Sequence, residues 1–298
     1  MRVTFQSQSR DGIAGIQAAA EQLLDAQRKV SSGRRLNAIS DNPGDAAAIV
    51  AERNSLSGIE QYQRASDSVG SRLQVVDTVL SDIVDKLSQA QSAALNGQGS
   101  NKTQIQRNAA AGTLVGLRAA LLDDLNTTFH GTYVFSGASV TTQPFTTGAG
   151  GAVNAYAGST VENSVDVGDG RSVKVSYDGS VIAQGSAPQH IFDVLDQLIA
   201  DMQAGNDAGI STGIAALKDA FTRAQTAQSR LGNDINENDT QKMRLQQMKL
   251  STDERLSKLE EADMSEALTN MSNADTAYKA ALGAVGTITR TSLLDYLK

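Results

Sequence analysis

The chain has 298 residues, enough for one large domain or two or three smaller ones, with 4 % aromatic residues and no Trp. Ala, Ser, Leu, Gly, Asp and Gln are the commonest residues, which suits long helices packed through small side chains, and only three prolines interrupt the chain. A net charge of −7 argues against nucleic acid as a partner, no apolar run is long enough to span a bilayer, and the absence of cysteine excludes disulfides and thiol chemistry.

The opening MRVTFQSQSRDGI has no apolar h-region, so it is not expected to be a cleavable secretory signal. Over 11–30, Ile13, Ile16, Ala20, Leu23, Gln27 and Val30 fall at alternating three- and four-residue steps. That spacing predicts a helix with a heptad seam, interrupted once by Gln27. Ser31, Ser32 and Gly33 end it. A second helix should start where Asn42 can cap, Pro43 fits the first position and Asp45 meets the positive helix end. Leu56, Ile59, Gln63, Ser66, Val69, Leu73, Val76, Leu80, Ile83, Leu87, Ala90 and Ala94 then hold the seam for more than five heptads. The turn NGQGS at 96–100 breaks it, and a third helix over about 101–128 carries Leu114, Leu117, Leu121 and Leu125 on one side. Two long helices joined by so short a turn should pack antiparallel.

Near Phe129 the character changes: GTYVFSG is β-prone, and 137–187 is rich in Gly, Ser, Thr and Val. Val173, Val175 and Tyr177 alternate with Ser172, Lys174 and Ser176, which predicts a half-buried strand. Asp178-Gly179 predicts a hairpin turn before SVIA, and VGDGRS at 167–172 predicts another. Helix returns at Pro188 with Ile191, Val194, Leu195 and Leu198 on one face, and a loop at 205–209 leads into a very long helix over about 210–260. The mixed charges of 241–263 read as a solvent-facing surface. Met264, Leu268, Met271, Tyr278, Leu282, Val285 and Ile288 form a C-terminal seam, and the chain closes on SLLDYLK. The predicted fold class is mainly α: a long-helix coiled-coil bundle built from both chain ends, with a small central β-rich insert.

Little in the sequence suggests chemistry. His130 and His190 lie far apart at helix/β boundaries; they could meet at the base of the insert, or simply be polar residues at domain edges. DINENDTQKMRL at 234–245 places Asp234, Asn236 and Asn238 like a calcium loop, but Asp239 stands where Gly is needed and Leu245 where the bidentate Glu belongs. It reads as a solvated helix face. No HExxH, GxSxG or Walker loop is present, so no catalytic, cofactor or metal site is expected and the chain is read as no enzyme. The terminal seams are thin. Ile13, Ile16, Leu23 and Val30 offer too little apolar surface to order a lone helix, so the termini need a partner, either each other or neighbouring subunits.

SSGRRLNAISDNPGDAAAI at 31–49 resembles the N-terminal region of bacterial flagellins and their relatives, with Asn42 for a second Asp and Gly44-Asp45 for Ala-Gly. EEADMSEAL and the closing SLLDYL resemble the C-terminal region of the same family. The start MRVTFQSQS, NTTFHGTYVFSG followed by QPF, and QHIFDVLDQLIADMQAGND are similar to the hook–filament junction branch of that family. The resemblance implies an extracellular structural protein of the bacterial flagellum, secreted without a cleaved signal through the flagellar export apparatus with an export chaperone. It implies self-association in a ring or helical layer, with hook-associated protein 1 and flagellin as partners, no nucleic acid and no membrane insertion.

The implied domains are 1–40 and 265–298 as inner-tube coiled coil, 41–136 and 188–264 as helical bundle, and 137–187 as an outer β-rich insert. The implied subunit-interface residues are Ile13, Ile16, Leu23, Val30, Arg34, Arg35, Asn37, Asp41, Leu268, Met271, Tyr278, Leu282, Val285 and Leu293. The segment around Gly33 to Pro43 would join inner tube to bundle. Three other readings stand beside the junction adaptor: a short flagellin, an enzyme or metal module in the insert, and a secreted adhesin or immune ligand. The thin terminal seams also imply that the chain ends order on assembly.

Overall fold

The computed structural model describes residues 5–37 and 42–296, and of 5–9, 149 and 288–296 the backbone alone. Seven α-helices are described: α1 (Phe5–Ser32), α2 (Pro43–Gly97), α3 (Gln104–Leu125), α4 (Gly179–Ala183), α5 (Ile191–Ala204), α6 (Asp207–Glu260) and α7 (Met264–Tyr296). Four short strands lie between α3 and α4: β1 (Thr128–Phe129), β2 (Thr132–Tyr133), β3 (Ser164–Gly168) and β4 (Arg171–Lys174). The expected mainly α class with a small central β-containing insert is what the fold shows. Contacts divide the chain into two compact units, 59–247 and the paired ends 1–58 with 248–298.

The larger unit is built on α2. From Ile59 onward every seam position except Gln63 is buried, and no Gly or Pro stands at a seam position there. The seam joins one continuous core with Leu114, Leu121 and Leu125 of α3, Leu195, Leu198 and Met202 of α5, and Leu217, Ala224 and Leu231 of α6. Helices α2 and α3 run antiparallel as expected. A Cβ on Gly97 would lie 3.3 Å from that of Ala110, while Lys86, a few turns earlier, pairs with Asp124, a few turns later. Thr103 closes a capping box with Gln106 at the start of α3. Gly205, at φ +74, ends α5, so the predicted loop shrinks to two residues.

The face of α6 around Asn238 is not solvated as expected. Ser66 Oγ donates to Asn238 Oδ1 at 2.8 Å, Asn238 Nδ2 returns a bond to the Ser66 carbonyl at 3.1 Å, and both residues are buried. Heptad spacing brings Leu231, Asn238 and Leu245 to one line on α6, and that line faces the core. Removing either partner would leave the other buried and unpaired, at a cost of about 1–3 kcal/mol.

The insert departs from expectation in one segment. β3 and β4 pair antiparallel through the predicted turn, with Gly170 at φ +64, but β4 stops at Lys174. Ser176, placed on the exposed side by alternation, is buried and accepts from the Asn163 amide at 2.7 Å. Asp178-Gly179 forms no hairpin turn; Asp178 Oδ1 accepts from the Ser180 amide at 2.8 Å and caps α4, so SVIA is helical. Ile182 and Ala183 thereby enter the core.

One side chain of α2 clasps the insert. Arg72 donates through Nε to the Val175 carbonyl, through Nη1 to Thr132 Oγ1 at 2.9 Å and through Nη2 to the Tyr133 carbonyl at 3.4 Å. Its guanidinium carbon also lies 5.8 Å from the Phe129 ring centroid. Tyr177 Oη adds a 2.9 Å bond to Asp234 of α6. Arg72→Ala is expected to destabilise the chain by about 1–3 kcal/mol, since it strands partly buried carbonyls. Arg72→Lys should not restore the loss, because one ammonium cannot reproduce the fork. A denaturant midpoint unchanged in Arg72→Ala would contradict the clasp.

Candidate assembly interface

The paired ends begin with two helices that alternate large and small side chains. On α1 the half-buried line is Gly12, Ile16, Ala19, Leu23, Ala26 and Val30; on α7 the line starts at the buried Ala267 and continues through the half-buried Met271, Ala274, Tyr278, Ala281 and Val285. Both lines step by four and three residues, a heptad seam. α1 and α7 pack on one another, and a Cβ on Gly12 would meet Val285 Cγ2 at 2.8 Å. Gly33 and Arg34 at the end of α1 pair with 261–262 just before α7, so the helices run antiparallel. In that register Ile16 stands at the level of Ala281, Leu23 of Ala274 and Val30 of Ala267. Large faces small at successive levels, and the helix axes can approach closely.

Both chain breaks sit at the base of this hairpin. Gly33 ends α1 at φ +66, where an L side chain is strained, and its amide reaches the Lys29 carbonyl at 3.0 Å. Arg34 forms an antiparallel bridge with Glu261. The Arg35 amide donates to the Glu260 carbonyl at 2.7 Å, and the Ala262 amide donates to the Gly33 carbonyl at 3.0 Å. The Arg35 guanidinium bonds Asp45 Oδ2 at 2.7 Å and the Leu259 carbonyl at 3.1 Å. Asn42 caps α2 as expected, its Oδ1 accepting from the amides of Gly44 and Asp45.

Ion pairs brace α2 against the end of α6. Arg255 grips Glu52 with two bonds, 2.9 Å and 3.1 Å, which holds the Glu52 carboxyl below its ordinary range. Arg53 lies 2.6 Å from Glu260 Oε1, in contact though not aligned as a hydrogen bond.

The structure sorts the sequence-predicted interface residues into three groups. Ile16, Leu23, Val30, Met271, Tyr278 and Val285 lie half-buried on the α1/α7 seam. Ile13, Leu268 and Leu282 point off it and are 50 %, 48 % and 44 % exposed. Arg34, Arg35 and Asn37 are exposed at the base, and Arg35 bonds within the chain. Asp41 lies outside the described residues; Leu293 lies in α7, but its side chain is outside the described set. Sequence reasoning missed the small half of the seam, which includes Gly12, Ala19, Ala26, Ala274 and Ala281, because bulkier neighbours such as Ile13, Leu268 and Leu282 set the apparent phase. Their heptad spacing was the available clue.

The histidines do not form a site together. His190 caps α5, its Nδ1 accepting from the Asp193 amide at 3.3 Å, and His130 stacks on Phe129 at 4.2 Å. Among the described residues no group of His, Cys, Asp and Glu could hold a metal ion, and no helix is long and apolar enough to cross a membrane.

Comparison with known proteins supplies the remaining findings. The family model of the bacterial flagellin N-terminal helical region matches residues 6–140, and that of the C-terminal helical region matches 214–297. Flagellar hook-associated protein 3 of Escherichia coli is 25 % identical over 260 residues, covering 80 % of this chain and 81 % of that protein. The solved fold of a flagellar hook-associated protein from Vibrio parahaemolyticus superposes with a TM-score of 0.70 at 20 % identity, over 74 % of this chain and 100 % of that one. The flagellar junction protein FlgL from Legionella pneumophila gives 0.61 at 15 % identity, over 71 % and 100 %.

The seam's large residues stay half-open, so each contributes well below the ~1.5–3 kcal/mol of full burial. Hydrogen exchange of the soluble chain should therefore protect α1 and α7 far less than 59–94 of α2. Leu23→Asp should abolish the residual protection of both terminal helices, whereas Leu282→Asp should leave it intact. Equal loss in the two variants would contradict the seam assignment.

Proposed function

The chain belongs to the bacterial flagellin family, both of whose helical regions it carries in order, and we propose that it is the adaptor of the hook–filament junction. The observation that carries this reading is the alignment with hook-associated protein 3 over four fifths of both chains. The likeness in fold to the FlgL junction protein supports it. In this role a layer of these subunits docks on hook-associated protein 1 at one end and receives flagellin at the other. The chain is then a structural component of the flagellum and not an enzyme. It is secreted through the flagellar export apparatus with a chaperone and without a cleaved signal.

In the same proposal 1–40 and 265–298 form the inner tube, 41–136 and 188–264 the surrounding bundle, and 137–187 the outward insert. Part of that insert falls in the stretch 141–213 that neither family region covers. The base of the hairpin suits a joint between tube and bundle, because Gly33 turns the chain and Asn42 restarts it. The exposed Ile13, Leu268 and Leu282 suit contacts with neighbouring subunits. A second reading, the major filament subunit, draws on the family regions alone.

Gene deletion separates the readings. Bare hooks with flagellin shed into the medium are the expected result for the junction adaptor. Missing filaments with no flagellin in cells or medium would make the chain the filament subunit. Normal filaments would overturn both.

A further inference from the structure

Between the insert and helices α2 and α6, within the unit 59–247, lies a cavity of about 230 Å³. A water needs only about 10–15 Å³ by the same measure, and a drug-sized ligand takes roughly 300 Å³ or more. The space therefore suits a small organic molecule. Part of its lining is apolar: Leu80, Phe135 and Ile182 are buried there, and Ala227 takes up little room. The rest is charged. Glu162, Asp178 and Asp234 bring three carboxylates to it, against Lys174 and Arg230. Lys174 is committed to Glu162, 2.6 Å away, and Arg230 is exposed. Asp178 is only 8 % exposed, and Asp234 is half-buried. Their carboxylates accept from the Ser180 amide and the Tyr177 hydroxyl, but neither is in an ion pair among the described residues. Burial holds the Asp234 carboxyl above its ordinary range; the Tyr177 bond and the Lys174 charge oppose that, while Glu162 adds to it. A buried carboxylate without a cation is costly, so the cavity is short of positive charge.

We propose that this cavity binds a small primary ammonium ion with an apolar body, the ammonium among Glu162, Asp178 and Asp234 and the body against Leu80, Phe135 and Ile182. The lining selects that class. An anion would meet three carboxylates. A neutral apolar molecule would leave Asp178 and Asp234 without a cation. A metal ion would gain nothing from the apolar part, and among the described residues no group of His, Asp and Glu is placed to hold one. A primary ammonium brings a charge and three donors on one atom, and its apolar body fills the remaining space. The site's chemistry is independent of the flagellar reading.

The soluble full-length chain is titrated with phenethylamine while its side-chain methyl resonances are followed. The expected result is a saturable shift of the Leu80, Val181 and Ile182 methyls, with roughly millimolar affinity. Phenethyl alcohol and hydrocinnamate keep the ring and replace the ammonium by a hydroxyl or a carboxylate; both should bind far more weakly. Asp234→Asn keeps an acceptor for Tyr177 and should weaken the amine by about tenfold or more. Ala227→Leu should fill the space and abolish binding. If Asp234→Asn does not fold, Glu162→Gln makes the same comparison. Free phenylalanine binding more tightly than the amine would bear out the ammonium site and add Arg230 as partner of the ligand carboxylate. No saturable shift, an equal response to the neutral alcohol, or undiminished binding in the Asp234 and Glu162 variants would overturn the proposal.

Discussion

The paired ends depend on two main-chain hydrogen bonds. Arg35 donates to Glu260 and Ala262 donates to Gly33, tying the breaks between α1 and α2 and between α6 and α7 side by side. Each break would otherwise be a free hinge. Held together, they fix where α1 and α7 begin relative to one another, and that register puts large residues opposite small ones. A slip of one heptad position would set Leu23 against Met271 or Tyr278 and push the axes apart. The side chains at the joint, Arg35 with Asp45 and Asn42 with the first amides of α2, satisfy polar groups that an ordinary crossing would leave to water.

The two units are stabilised differently. In 59–247 the seam residues are almost wholly buried, a buried Ser66–Asn238 pair links α2 to α6, and Arg72 and Tyr177 fasten the insert. In the paired ends Ala267 is the one buried apolar residue of the described α1/α7 seam, and the large ones remain half-open. A two-helix interface of that kind covers little apolar area for the length of chain it orders. Such a balance suits a segment that must be loose at one stage and fixed at another. Further burial against a partner would be what fixes it.

Much of this was legible in the sequence where one signal acted alone. The α2 seam, the Asn42–Pro43 start and the α5 face follow from apolar periodicity or capping chemistry, and the structure reproduces them. Misreadings arose where two signals competed. Asp178-Gly179 favours both a hairpin turn and a helix cap, and the need of Ile182 for the core decided for the cap. Asn238 reads as polar and exposed until Ser66, 172 residues away in sequence, supplies its partner. On the terminal helices the sequence reading holds for half of the seam. Ile16, Leu23, Val30, Met271, Tyr278 and Val285 lie on it, whereas Gly12, Ala267 and Ala281 take the seam positions next to Ile13, Leu268 and Leu282, which fall outside.

That displacement has a physical consequence for assembly. Had Ile13, Leu268 and Leu282 lain on the α1/α7 seam, the hairpin would be better buried and its outer surface polar. Stability would rise, and the incentive to associate would fall. With alanines inside and leucines outside, the isolated hairpin buries less apolar surface and leaves Ile13, Leu268 and Leu282 in water. Were a neighbouring subunit to cover them, order at the chain ends would be coupled to its presence. For a protein proposed to stand between two different layers, that coupling has a use. A hairpin that is incomplete alone favours building on an existing layer over closing on itself in solution.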